Sequence, residues 1–273
     1  MTDLINKVSE AIVAICNEEM VPRFRSLEPG EVGTKGGGDV VTIVDTICER
    51  RLGAALTELL PGSIIVGEEG VAADPAQLDR LAEDRDIWLI DPLDGTKNFA
   101  EGVPDFASMV ALVRGDEVVA AWVYLPPSER LAVAERGGGF LVNGERPVWH
   151  PEKPIQDLVG RFNLPKTGPR HQRLMPVQRA IRDRSPVGCA GSAYVDLAFG
   201  TIDLVMMNKL HPWDHAPGSV MVEEAGGVVR LANGRRYRVA ERQGPIIATQ
   251  SERQWKAVVD LMTGAEQPSP ISV

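Results

Sequence analysis

The sequence predicts an α+β fold in which helices and two sheets pack in layers. Three observations support this fold class. An amphipathic helical pattern opens the chain, short strand-like runs divided by turn residues fill 106–147, and strand-like and helix-like pieces alternate beyond that point. Elements with one apolar side must bury that side against another element, and stacked layers of helices and sheets achieve this.

The first part of the chain contains two predicted helices separated by a glycine-rich segment. Apolar residues recur at helical spacing over 3–20 and again over 44–59, where a Pro-Gly pair ends the second helix. The glycine-rich segment, 28–40, has no strand before it and no GxGxxG register, so we expect a mobile loop. A short strand over 63–69 then ends in acidic residues, and the polar stretch 71–86 is predicted to be a surface helix or loop.

The remaining elements follow two patterns. Turn residues break 106–147 into an antiparallel meander. In the second half, the predicted strands are "LVGRF", "IDLVMM", "GGVVRL", "RYRVA" and "PIIATQ". The predicted helices there are 170–183, "AYVDLAFG", 214–225 and 251–263. A Pro-rich composition near 147–157 predicts a boundary between an N-terminal half, 1–147, and a C-terminal half, 148–273.

Composition excludes several classes of function. The chain has 273 residues and a net charge of −9, and no basic stripe is visible, so we expect neither direct nucleic-acid binding nor a membrane partner. The N-terminus lacks the features of a signal peptide, and no segment reaches the ~20 apolar residues of a membrane span. The three cysteines form no CxxC pair, which predicts reduced, buried thiols in a cytoplasmic protein.

The stretch "WLIDPLDGTKNF", 88–99, contains the first candidate site. Its apolar run stops at Asp91, and a second carboxylate, Asp94, follows on a backbone constrained by Pro92 and Gly95. Asp94 also lies near the start of a possible helix, whose free N–H groups suit a phosphate. Taken alone, the stretch is more typical of a capped turn with solvated acids.

Three further acidic groups favour a functional site over a capped turn, because each also lies at the boundary of an apolar element. These groups contain Asp45 at the start of the second helix, Glu68 at the end of a strand, and Asp214 in "HPWDHAPG". Carboxylates gathered in one place repel each other unless cations neutralise them, and hard oxygen ligands suit Mg²⁺. The sequence therefore predicts a magnesium site formed by these acids.

Two other kinds of chemistry find little support. His211 and His215 have the spacing of a zinc pair, but Pro212 should keep His211 outside the helix that carries His215. The sequence contains neither a GxSxG elbow nor a Cys-His arrangement, so covalent catalysis is not supported.

The acidic motifs together resemble those of the inositol monophosphatase family of magnesium-dependent, lithium-sensitive phosphatases. The matching motifs occur in family order and cover most of the chain. They are Asp39-Val-Val-Thr-Ile-Val-Asp45, Gly67-Glu-Glu69, Asp91-Pro-Leu-Asp-Gly-Thr-Lys-Asn-Phe99, Gly191-Ser-Ala193, Trp213-Asp-His-Ala-Pro-Gly218 and Glu224-Ala-Gly-Gly227.

The resemblance implies a layered αβαβα sandwich, a homodimer and a small phosphorylated substrate. It also implies a set of metal ligands for two or three Mg²⁺ ions. Glu68, Asp91 and the Leu93 carbonyl would hold one ion. Asp91, Asp94 and Asp214 would hold a second, and a third, weaker ion would lie near Glu68.

The same resemblance implies roles around the phosphate. The N–H groups of Gly95 and Thr96 would bind it, and Asp45 with the Thr96 hydroxyl would orient the attacking water, beside Glu68. Gly191, Ser192 and Ala193 would line the leaving-group side. The four ligand carboxylates carry a charge of −4 by simple count, so a phosphate dianion needs the metal ions in order to bind.

One position departs from the family pattern. Inositol-hydrolysing members usually carry a glutamate seven residues before the second-motif aspartate, and here that residue is Met207. The departure leaves the substrate open among inositol phosphate, histidinol phosphate, a sugar phosphate or bisphosphate, and a 3'-phosphonucleotide. A regulatory binding role in the transcription machinery, which some bacterial members have, is the alternative from another class.

Overall fold

The computed structural model describes residues 1–147, 153–163 and 167–264. Its helices are α1 (Thr2–Glu19), α2 (Ile43–Leu59), α3 (Glu68–Ala73), α4 (Thr96–Ala100), α5 (Gly168–Ala180), α6 (Ala190–Phe199), α7 (Pro212–Glu224) and α8 (Glu252–Thr263). Its strands are β1 (Val32–Thr34), β2 (Val40–Thr42), β3 (Ile64–Gly67), β4 (Asp86–Asp94), β5 (Ala107–Arg114), β6 (Glu117–Leu125), β7 (Arg130–Glu135), β8 (Gly139–Val142), β9 (Val159–Asn163), β10 (Asp183–Pro186), β11 (Leu204–Lys209), β12 (Val228–Leu231) and β13 (Gln243–Thr249).

The strands form two main sheets. The first has the order β3-β4-β5-β6-β7-β8, with β3 parallel to β4 and every later pair antiparallel. The second has the order β10-β9-β11-β13-β12, with β9 parallel to both of its neighbours and β13 antiparallel to both of its own. The meander predicted over 106–147 is therefore confirmed.

Helices cover both sheets on both sides and produce five layers. α1 and α2 pack on one face of the first sheet, around Trp88 and Trp122. α6 and α7 fill the space between the sheets, where Tyr194 and Val220 meet apolar residues of both. α5 and α8 pack on the far face of the second sheet, beside Trp255. This confirms the αβαβα sandwich.

Local chemistry explains where α2 begins. Thr42 precedes the helix and its hydroxyl accepts from Val44 N, while the Asp45 carboxylate accepts from Thr42 N at 2.8 Å. This reciprocal arrangement is a capping box, which satisfies amide groups that have no partner within the helix. The same contacts fix Asp45 at the end of the helix that faces the site.

The structure differs from the sequence-based expectation at three places. The glycine-rich segment is a two-stranded hairpin of β1 and β2 rather than a loop alone. "RYRVA" is not a strand and makes only an isolated bridge from Arg236 to Arg230. The helix expected over 170–183 ends at Ala180, and β10 begins at Asp183. The predicted boundary between the halves falls at 148–152, outside the described residues.

Two smaller expectations are confirmed. Cys16, Cys48 and Cys189 are buried free thiols. His211 is the residue before α7 rather than part of it, as expected from Pro212. No helix among the described residues has the length and apolar character required to cross a membrane.

Candidate active site

Four elements bring the predicted acidic residues to one place. Asp45 comes from α2, Glu68 from the first position of α3, Asp91 and Asp94 from β4, and Asp214 from the first turn of α7. Their proximity is visible in their electrostatics, since the charges of the other four all act on Asp91 and raise its pKa. Residues from three of the five layers therefore contribute to one acidic cluster, defined here as these five residues.

The backbone around Pro92 explains how β4 presents two carboxylates. The apolar run stops at Asp91, but the strand continues to Asp94, and its register with β5 shifts between these residues. Pro92 has no N–H to donate to a neighbouring strand, so an irregularity at this point is expected. The irregularity directs Asp91 and Asp94 into the same site.

Gly95 makes the turn out of β4 possible. Its φ is 82°, in the left-handed region that favours glycine. A Cβ at this position would lie 2.8 Å from the carbonyl oxygen of Asp105, so close approach also excludes a side chain. α4 then starts at Thr96, which leaves the first amide groups of this short helix beside the acidic cluster.

Asp45 and Thr96 form a buried hydrogen-bonded pair. The Thr96 hydroxyl lies 2.9 Å from Asp45 Oδ1 and 2.8 Å from the Leu93 carbonyl oxygen. A hydroxyl has a single proton, so it donates to one of these acceptors at a time and keeps lone pairs for another donor. Burial raises the pKa of Asp45 to about 6, although the hydrogen bonds from Thr42 and Thr96 lower it.

Asp94 faces the start of α6. Its Oδ2 accepts from Gly191 N at 2.6 Å and lies 2.9 Å from the Cys189 thiol sulfur. Burial raises the pKa of Asp94 to about 6, against the opposing effect of these donors. The same Cys189 accepts from Ser192 N at 3.4 Å, so one cysteine joins the start of α6 to the carboxylate.

Asp91 and Asp214 have fewer compensating contacts. Asp91 is 2% exposed and accepts a hydrogen bond from Leu93 N at 3.1 Å. Burial, together with the charges of Glu68 and Asp94, raises the pKa of Asp91 well above its usual value. Burial and the same two neighbouring charges also raise the pKa of Asp214. The arrangement holds negative charge at a high electrostatic cost, which a bound cation would remove.

A cation already approaches one member of the acidic cluster. Lys35 directly follows β1, in the segment that connects β1 to β2. Its ammonium group lies 2.7 Å from Glu68 Oε1 and also pairs with Glu69. These side chains are largely shielded from solvent. Lys35 therefore neutralises part of the charge that a metal ion would neutralise, and it shows that the Glu68 carboxylate accepts a cation.

The donor set fits Mg²⁺, because all of its side chains supply hard oxygen atoms. As they stand, however, no three His, Cys, Asp or Glu side chains among the described residues form a group that could hold a metal ion. The contacts above give the reason: Glu68 is turned toward Lys35, and Asp94 is turned toward Gly191. A metal ion at Glu68 would compete with Lys35 for the Glu68 carboxylate.

The residues expected on the leaving-group side are almost fully enclosed. Gly191, Ser192 and Ala193 lie in the first turn of α6, and the Ser192 hydroxyl donates to the Cys189 carbonyl at 3.2 Å. Met207 is 3% exposed and packs among the apolar residues between the two sheets. These side chains therefore offer packing surface rather than free polar groups.

Sequence reasoning missed Lys35, Glu49 and Cys189. Lys35 lies in a segment whose hairpin has no periodic signal, and the side-chain contact of Cys189 depends on long-range packing. Glu49 could have been found, because it follows Asp45 by four residues on the same predicted helix and shares its face. Lys97, by contrast, is a surface residue, with a side chain that is 73% exposed.

Comparison with known proteins agrees with this fold. The profile of the inositol monophosphatase family matches residues 2–263. The inositol-1-monophosphatase of Rhizobium meliloti is 31% identical over 236 residues, which cover 85% of this chain and 86% of that protein. The Nus factor SuhB of Vibrio cholerae is 32% identical over 249 residues, which cover 86% and 88% of the two chains.

A solved structure extends the similarity to three dimensions. The extragenic suppressor protein suhB from Bartonella henselae superposes with a TM-score of 0.84 at 25% identity, covering 97% of this chain and all of that one. The match to a family of phosphatases shows that the chain is a phosphoric monoester hydrolase. The chain belongs to the inositol monophosphatase family.

Proposed function

We propose that this protein hydrolyses a small phosphate monoester, of the inositol monophosphate type, in a Mg²⁺-dependent reaction. The acidic cluster is the observation that carries the proposal, because burial and the charges of the other four members together raise the pKa of Asp91. Family membership supports the reaction class. The anionic substrate and the anionic site become compatible once cations lie between them.

The proposed ligands form two overlapping sets. Glu68, Asp91 and the Leu93 carbonyl would hold one ion, Asp91, Asp94 and Asp214 would hold a second, and Glu68 would contribute to a weaker third site. When bound, paired metal ions lower the pKa of water and stabilise the charge of an in-line displacement. Asp91 belongs to both sets, which agrees with its central and most buried position among these acids.

Asp45 and Thr96 orient the attacking water in this proposal. The ionised Asp45 carboxylate accepts the Thr96 proton at 2.9 Å, which directs a lone pair of the Thr96 oxygen toward the water. Glu68 is the third residue of the proposed catalytic group. The amide groups of Gly95 and Thr96 then hold the phosphate at the start of α4.

Water attacks directly, without a covalent enzyme intermediate. Cys189 is the one thiol in contact with the acidic cluster among the described residues, and burial together with the Asp94 charge raises its pKa well above the usual value. A protonated thiol is a poor nucleophile. Its contact with Asp94 is better explained as a hydrogen bond that supports the carboxylate.

The wall of the leaving-group pocket consists of Gly191, Ser192, Ala193 and Met207 in this proposal. These residues are buried, so they set the shape of the pocket. They offer few free polar groups that a substrate would have to match with hydrogen bonds. A pocket of this kind discriminates weakly between leaving groups. Histidinol phosphate, a sugar phosphate or bisphosphate, and a 3'-phosphonucleotide are therefore alternative substrates.

A substrate panel tests the proposal. Phosphate release is measured from inositol 1-phosphate and the alternative substrates, with Mg²⁺, with excess EDTA, and after Mg²⁺ is restored. We expect activity that disappears with EDTA and returns with Mg²⁺, and an Asp91→Asn control without activity. Undiminished turnover in EDTA contradicts the metal-dependent reaction.

Three further properties belong to the same proposal: a homodimer, a cytoplasmic location and inhibition by lithium. Lithium would compete for the position formed by Asp91, Asp94 and Asp214. Sedimentation measures the dimer, and turnover at rising lithium concentration measures the inhibition. Unchanged turnover at high lithium counts against an intact second metal position.

A second candidate function is regulatory binding within the transcription machinery. The similarity to a protein named Nus factor SuhB favours it. Affinity capture with this chain as bait, followed by detection of RNA polymerase subunits, tests it. Equal recovery with the bait and with an unrelated acidic protein contradicts this role.

A further inference from the structure

Glu49 lies one helical turn after Asp45 on α2, and the two carboxylates serve different parts of the site. Residues four apart share one face of a helix. Asp45 contacts Thr96 after β4, whereas Glu49 accepts from Glu69 N at 2.8 Å and from Gly70 N at 2.7 Å. One face of α2 is thus attached to both α3 and the turn after β4.

The contact with Glu49 supplies a cap that α3 lacks. The residue before this helix is Gly67, which has no side chain to cap the first amide groups. Those groups have no partner within a helix, and negative charge near them is favourable. The Glu49 carboxylate, arriving from α2, satisfies two of them.

The two glycines around Glu68 and Glu69 fit this contact. A Cβ at Gly67 would lie 2.3 Å from the carboxyl carbon of Glu49, a distance that real side chains do not tolerate. A Cβ at Gly70 would lie 3.3 Å from Glu49 Oε1 and 2.8 Å from Gln77 Oε1. Gly67 has an ordinary φ of −109°, so the space taken by Glu49 explains the glycine at this position.

α3 has few other means of holding its position. It is six residues long and buries one of them, Val71. A helix this short is not stable by itself, so tertiary contacts fix it. Glu68 is its first residue, directly between Gly67 and the Glu69 amide that Glu49 binds. Lys35 contacts the Glu68 carboxylate itself, whereas Glu49 binds the backbone that follows Glu68 and so helps to fix the point from which this side chain extends.

The geometry points to Glu49 as a positioning residue that holds Glu68 ready to bind a cation. The inference rests on the proposed Mg²⁺-dependent function and adds to it a residue outside the metal-ligand set. Groups that orient metal ligands typically change metal affinity 10–100-fold when they are substituted. Glu49 should act in this way through the backbone of α3.

The test compares three variants as full-length protein. Glu49→Gln keeps the length but turns an NH₂ group toward one amide donor, and Glu49→Asp is too short to reach both donors. Glu58→Gln, an exposed position on the same helix, is the matched control. Mg²⁺ affinity is measured by calorimetry on metal-free protein, together with the Mg²⁺ concentration for half-maximal phosphate release and the melting temperature without metal.

We expect both Glu49 variants to bind Mg²⁺ about tenfold more weakly or worse, with a smaller change in kcat at saturating Mg²⁺. Glu58→Gln should match the wild type. A Glu49 variant that melts earlier without metal but binds Mg²⁺ with unchanged affinity overturns the inference, because its role is then stability alone. A wild type that binds no Mg²⁺ overturns the proposed function, and the inference with it.

Discussion

At the scale of single residues, Asp45 links burial to the pH dependence of the reaction. Its pKa is raised to about 6, so the carboxylate gains a proton as the pH falls through that value. The protonated form no longer accepts the Thr96 proton, and the water loses its orientation. We expect kcat at saturating substrate to fall up to tenfold per pH unit below about pH 6.

Asp45→Asn separates this effect from other titrations. The variant should be slow at every pH, and its remaining activity should decline less steeply below pH 6, because the substrate and the other acids still titrate. Parallel pH profiles for the wild type and the variant would show that Asp45 does not contribute the acid limb.

Met207 has two possible roles, contact with the substrate and packing in the core, and its substitution distinguishes between them. Its place in the sequence is one where inositol-hydrolysing family members usually carry a glutamate, but the structure buries it at 3% exposure, which favours a packing role. We expect Met207→Glu to destabilise the protein by about 3 kcal/mol, because the new carboxylate has no partner in an apolar region. We expect Met207→Leu to leave the ratio of kcat/KM values for inositol 1-phosphate and an aryl phosphate unchanged.

Thermal unfolding of each variant, and the ratio of its kcat/KM values for the two substrates, check this prediction. A Met207→Glu variant with wild-type stability and a preference shifted about tenfold toward inositol 1-phosphate would support direct substrate contact instead. Such a result would agree with the strength of a hydrogen bond to a charged group.

At the scale of elements, the packing of α6 against α7 depends on a glycine. A Cβ at Gly218 would lie 2.1 Å from two carbon atoms of the Tyr194 ring, and Tyr194 is completely buried. We expect Gly218→Ala to reduce the free energy of unfolding by about 3 kcal/mol, at the upper end of the cost of overpacking. Chemical denaturation measures it.

Gly36→Ala is the matched control, because a Cβ there meets nothing within 4 Å and its backbone needs no positive φ. This variant should unfold like the wild type. Equal stability of Gly218→Ala and Gly36→Ala would mean that the two helices can separate without loss.

The elements also show what sequence patterns can reveal. Helical spacing located α1 and α2, and turn residues located the meander, because these signals are local. "RYRVA" has the composition of a strand, but most of it finds no neighbouring strand, and pairing is a tertiary property. The acidic motifs predicted which residues meet at the site. The approach of Lys35 and the enclosure of Met207 depend on how distant elements pack, which no local pattern contains.

At the scale of the whole molecule, the proposed ligands join the two sheets. Asp91 and Asp94 belong to the first sheet, whereas Asp214 begins the helix that directly follows β11 of the second. A metal held by all three should stabilise the folded state as a whole. At a concentration 100 times its Kd, such a ligand contributes about 2.7 kcal/mol, which corresponds to a rise in Tm of about 5–10 °C for a protein of this size.

Calorimetric scans with increasing Mg²⁺ check this prediction. Asp214→Asn should lose most of the rise, and the exposed variant Glu58→Gln should retain it. A rise of equal size in Asp214→Asn would show that metal binding does not involve the second sheet.

The layering has a consequence for the way the protein is made. All strands of the first sheet lie before residue 143, whereas the helices that cover its inner face, α6 and α7, lie between 190 and 224. A ribosome therefore synthesises all strands of this sheet well before it synthesises α6 and α7. During that interval, apolar residues such as Leu89, Met109 and Val123 lack the helices that they pack against. Uncovered apolar sheet faces promote aggregation during folding. A chain that ends before α6 would therefore expose this apolar face of the sheet and would lack Asp214. We expect such a fragment to be bound by chaperones and degraded by proteases.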